Sequence, residues 1–139
     1  MFLQGQSSFL IGQSRARLAR REASLTNTIY KICDAALWRE AEIAGEFAGA
    51  QIDLADGYVH FSTAEQVVET AARHFASVAD LVLVAVDPKA LGSALRYEPS
   101  RGGAVFPHLY GKLPLSAVRW VTPLPLGADG RHRFPELKP

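Results

Sequence analysis

Leu81-Val82-Leu83-Val84-Ala85-Val86 is six apolar residues without a break, and no other stretch of this chain limits its fold so tightly. A strand that alternates apolar and polar side chains needs cover on one face only. An unbroken apolar strand needs it on both, so this segment reads as a strand buried on both faces. The pattern around it alternates short apolar strands with amphipathic helices. Ile29 to Cys33 reads as a first strand. Asp34 is placed to cap a helix over Ala35 to Ala44, with Gly45 as its stop. Phe47 to Ala55 reads as a connecting segment. Tyr58 to Phe61 is a strand, Val67 to Phe75 carries helical spacing, and Ala94 to Glu98 and Ala117 to Val121 are further strands. Pro107 argues that Ala104 to Gly111 is an edge or irregular strand. The resulting class is α+β: a small sheet, mostly antiparallel or mixed, with two packed helices.

Length and charge narrow the function. The 139 residues suit one domain over 28–139, preceded by a loosely ordered basic extension over 1–27. Four of the 15 basic residues, Arg15, Arg17, Arg20 and Arg21, lie in that arm with a single acid, Glu22. From Thr28 onward 11 basic residues face 13 acidic ones. This balance disfavours an extended nucleic-acid surface, which needs a basic stripe. No apolar run approaches the ~20 residues that span a bilayer, so a cytoplasmic protein without a membrane partner is expected. The single cysteine, Cys33, permits no intramolecular disulfide and reads as a small buried side chain.

The chemistry concentrates in Asp56-Gly57-Tyr58-Val59-His60-Phe61-Ser62-Thr63. Period-2 alternation places Tyr58, His60 and Ser62 on one face, with Val59 and Phe61 turned to the core. Ser62 and Glu65 have capping-box spacing, so Ser62 and Thr63 would open the following helix. A helix start of this kind presents N–H groups to an anion. His60 can exchange a proton near neutral pH. His108 and Tyr110 sit in Phe106-Pro107-His108-Leu109-Tyr110-Gly111, a rigid segment suited to ligand contact. Arg96 and Glu98, two apart on a strand, share a face, and Arg96 could hold a phosphate or carboxylate. A surface ion pair is the competing reading. His74 and His132 read as solvated. No H-x3-H or H-E-x-x-H spacing supports a metal, and none is expected.

These motifs, with Ile29-Tyr30-Lys31-Ile32, Trp38, Gln66, Phe75, Leu83, Asp87 and Leu95, resemble the domain of unknown function 952 family of small bacterial proteins. The resemblance covers Thr28 to about Pro135. It implies a fold like that of the ADP-ribosyltransferases, with a cleft that holds NAD in the enzymes that use it. A more distant similarity links Tyr30, His60, Ser62 and Thr63 to NAD-dependent RNA 2'-phosphotransferases. Lys31 departs from that pattern, standing where those enzymes place a ribose-holding histidine; lysine donates but cannot accept. The resemblance implies a small nucleotide-like ligand, with NAD among the candidate cofactors. His60 and His108 would line the cleft, Lys31 or Arg96 would bind phosphate, and Tyr30 or Tyr110 would stack on a ring. The alternative is a non-catalytic scaffold that binds a metabolite or a protein partner.

Overall fold

The computed structural model describes residues 27–100 and 102–139. Apart from Asn27, the basic extension lies outside the described residues. The strands are β1 (Ile29–Asp34), β2 (Glu46–Phe47), β3 (Val59–His60), β4 (Ser62–Thr63), β5 (Leu81–Val86), β6 (Leu95–Pro99), β7 (Val105–Leu109), β8 (Leu113–Pro114) and β9 (Val118–Leu124). The helices are α1 (Ala35–Ala44), α2 (Gln51–Asp56) and α3 (Val67–His74), with 3-10 turns over Pro88–Ala94 and Leu115–Ala117. Among the described residues they form three sheets, in the orders β4-β1-β5-β9, β3-β7-β6 and β2-β8. Every pairing is antiparallel, as an α+β class requires.

β5 is flanked by β1 and β9 and, as its composition demands, is covered on both faces. Its side chains supply two cores at once. Leu81, Leu83 and Ala85 join Tyr30, Ile32, Leu124 and the α3 residues Val67 and Ala71 on one face. Val84 and Val86 join Ile29, Cys33, Phe47 and the α1 residues Trp38 and Ala41 on the other. One helix therefore covers each face, and the three-stranded sheet closes the second core through Val59 and Leu109. Cys33 is buried there, and burial pushes its thiol up to about 12.

Several local expectations change. α1 ends at Gly45 in the left-handed conformation, φ 87°, as expected. At its start Asp34 makes no side-chain cap, and the Ala35 N–H donates instead to the Asp80 carbonyl. The connecting segment after Phe47 contains a helix, α2, which its short and weakly patterned sequence conceals. The strand expected over Tyr58 to Phe61 is divided. β3 belongs to the three-stranded sheet and β4 to the four-stranded one, with the chain crossing at Phe61.

β7 is not an edge strand but lies between β3 and β6. It tolerates Pro107 because that residue's carbonyl accepts from the Phe61 N–H. In a strand, N–H and C=O of one residue face the same side, so the missing donor points to where β3 has already ended. His132 is also not solvated: it is buried, and its Nε2 lies 2.7 Å from the Val78 carbonyl oxygen.

Leu83 is fully buried in the inner strand. Leu83→Ala should lower stability by roughly 2–5 kcal/mol, read as a fall in the urea midpoint at unchanged slope.

Candidate functional site

Antiparallel register builds the site. His60 pairs with His108 across β3 and β7, and His108 pairs with Arg96 across β7 and β6. Directly opposite residues share a face, so these three form one row across the small sheet. Residues two positions away lie on the same face, which adds Tyr58, Tyr110 and Glu98. The Tyr58 ring sits 4.1 Å from His108, 4.6 Å from His60 and 5.3 Å from Tyr110, centroid to centroid. The two imidazoles are 5.6 Å apart at 70°. The Arg96 guanidinium stands 4.6 Å from the centre of the Tyr110 ring, a cation–π contact.

Each imidazole rests on a carboxylate. His108 Nδ1 is 2.8 Å from Glu98 Oε1, and the Tyr110 hydroxyl donates to that same oxygen at 2.7 Å. Burial acts to raise the Glu98 carboxyl. The hydrogen bonds from His108 and Tyr110, with the charges of His108 and Arg96, outweigh it and lower the pKa. Tyr110 is raised, chiefly by its bond to Glu98. His60 Nδ1 is 2.6 Å from Asp53 Oδ1, and its Nε2 is 3.0 Å from Asp56 Oδ2.

Asp53, which no sequence pattern singles out, is the anchor of the cluster. It is 2 % exposed and lies on α2. Its Oδ1 accepts from the His60 N–H at 3.0 Å and from Lys31 Nζ at 3.0 Å. Oδ2 accepts from the Ala50 N–H at 2.8 Å and lies 2.8 Å from Lys31 Nζ. Burial alone would raise this carboxyl, but bonds from His60, Lys31 and Ala50 and the lysine charge hold it down to about 2. One sequence signal could have revealed it. Lys31 sits in an apolar strand, and a buried ammonium requires a buried anion.

The structure thus brings together His60, His108, Arg96, Glu98 and Tyr110, with Lys31 joined to them through Asp53. Tyr30 and Ser62 go elsewhere, and Thr63 pairs with Ile29 in the β1–β4 ladder. Tyr30 points to the opposite face of β1 from Lys31, where its hydroxyl bonds the backbone of Lys138. Ser62, opposite Tyr30 in register, is buried with its Oγ 2.8 Å from Thr70 Oγ1. The expected capping box does not form: α3 begins at Val67, and Gln66 Oε1 accepts from the Thr63 N–H. A recess of about 190 Å³ adjoins the cluster, with Asp53, Tyr58, Gly57 and Gly111 among its walls. Among the described residues, no group of three or more His, Cys, Asp or Glu side chains is placed to hold a metal ion. Nor is any helix among them long and apolar enough to cross a membrane.

Asp53→Ala would strand the Lys31 ammonium in the core, and the expected loss is roughly 3–5 kcal/mol by urea denaturation. Replacing both partners, as Lys31→Met with Asp53→Leu, should recover much of it. The depressed Asp53 pKa makes the folded carboxylate a stabilising group above the unfolded value of 3.8. Its contribution, about 2 kcal/mol, should fade as pH falls from about 4 towards 2, seen as a melting temperature that drops faster in the native protein than in the double variant.

The sequence matches the family described as "Protein of unknown function (DUF952)" over residues 32–121. The crystal structure of protein CC0527 from Caulobacter crescentus is 49% identical, with a TM-score of 0.74, covering 76% of this chain and 93% of that one. The solution NMR structure of CC0527 is 50% identical, with a TM-score of 0.69, over 75% of this chain and 90% of that one. No curated protein is significantly similar. With the family match spanning well over half its length, the chain belongs to the DUF952 family.

Proposed function

We propose that the chain binds a nucleotide or nucleotide-derived small molecule on the face that carries His60, His108 and Arg96. The observation that carries this reading is the cross-strand row itself, in which each imidazole keeps Nδ1 on a carboxylate. A carboxylate on Nδ1 fixes the ring orientation and the tautomer, leaving Nε2 for a ligand. His108 is buried with its ring against Tyr58, so the partly exposed His60 is the imidazole open to a ligand. His60 Nε2 meets only Asp56, whose side chain is 40 % exposed and displaceable. A planar base would stack on Tyr58 or Tyr110, a phosphate would pair with Arg96, and Asp56 and Glu98 would accept from sugar hydroxyls.

An NAD-derived ligand and an ADP-ribosyltransferase-like fold are the finer form of this proposal. The His60-Phe61-Ser62-Thr63 motif and the link from Lys31 through Asp53 to His60 support it. The same link argues for binding rather than transfer, since the buried Lys31 ammonium is already paired with Asp53. Calorimetry with NAD and ADP-ribose should give saturable heat for the native protein. His60→Ala and Arg96→Ala should each bind at least tenfold more weakly. An absence of heat from the native protein with both ligands would overturn the proposal in favour of a scaffold for another partner.

A further inference from the structure

Tyr30 marks a second place in the molecule that the histidine row does not use. It lies on the opposite face of β1 from Lys31 and helps to enclose a cavity of about 480 Å³ between β9 and the C-terminal tail. We propose that this cavity is a separate ligand site, suited to a planar aromatic molecule carrying one anionic group. The inference does not rest on the function proposed for the histidine face.

The walls argue for each part of that ligand. Trp120 is 38% exposed, whereas Trp38, the other tryptophan, is 3% exposed in the core. The Trp120 ring stands 5.9 Å from the Tyr30 ring at 56°, so two aromatic side chains meet at the cavity. An open tryptophan beside a concavity offers a stacking surface at little ordering cost. Arg119 and Lys138 bring cationic groups to the lining, beside Glu136. The Arg119 guanidinium is held in place by Thr28 Oγ1 and by Asp87, 3.3 Å away. With Arg119 so engaged, the Lys138 ammonium is the lining cation that meets a carboxylate or a phosphate.

The site is also preformed. The Tyr30 hydroxyl donates to the Lys138 carbonyl at 2.8 Å and accepts from the Lys138 N–H at 3.1 Å. These two bonds pin the tail over the sheet through its backbone, so the Lys138 side chain is free to be changed without releasing the strap. The volume falls within the range of small-molecule sites, roughly 300–1,000 Å³, and admits a two-ring system.

Calorimetry on the full chain with 2-naphthoate, 2-naphthyl phosphate and uncharged 2-naphthamide tests this. At least one anion should bind saturably with one-to-one stoichiometry, and the amide at least tenfold more weakly. The tighter anion tells whether the site takes a carboxylate or a phosphate. Trp120→Ala should abolish binding, Lys138→Glu should weaken the anion at least tenfold while sparing the amide, and His60→Ala should change nothing. The proposal is overturned if neither anion saturates, if the amide binds equally well, or if Trp120→Ala and Lys138→Glu both bind as the native protein does. Loss of binding in His60→Ala would also overturn it, by assigning the probe to the histidine face.

Discussion

One buried carboxylate organises the half of this protein that carries the histidine row. Asp53 accepts from β1 through Lys31, from β3 through both the backbone and the ring of His60, and from the start of its own helix through Ala50. Four donors on three elements converge on a group almost without solvent. Isolated, such a charge would be prohibitively unfavourable; surrounded by donors, it sets the spacing between the four-stranded and three-stranded sheets. The orientation of His60, and with it the shape of the aromatic cluster, follows from that point.

Most of the fold was legible because it depends on pattern. The unbroken apolar run at Leu81–Val86 announced a strand with a core on each face, and Gly45 announced the end of a helix. What escaped was whatever depends on partners distant in sequence. The capping-box spacing at Ser62 and Glu65 was genuine, but pairing of Ser62 and Thr63 with β1 competes for the same residues and wins, because it completes a ladder. Pro107 looked unfit for an inner strand; only the shortness of β3 makes it acceptable.

The site divides in the same way. Motifs drew attention to His60 and His108, and register placed them opposite one another. Arg96 and Glu98 shared a face, as two-residue spacing requires. Asp53 stayed hidden in a short helix of little periodicity, although Lys31 implied its existence. Tyr30 and Lys31, adjacent in sequence and both assigned to one ligand, are separated by the thickness of a sheet. Alternation along a strand makes neighbours in sequence strangers in space.

The hairpin that joins β6 to β7 has a consequence far from where it lies. It turns through Gly102 and Gly103, both at φ 88°, and is closed by hydrogen bonds between Ser100 and Ala104 and between Gly103 and Ser100. Side chains in a strand have a parity, and this turn sets the parity of β7 against β6. A turn longer by a single residue would present Pro107 or Leu109 where His108 now meets Arg96, exchanging a polar row for core surface. The identity of the site is thus stored as an odd-or-even count in the loop between two of its strands.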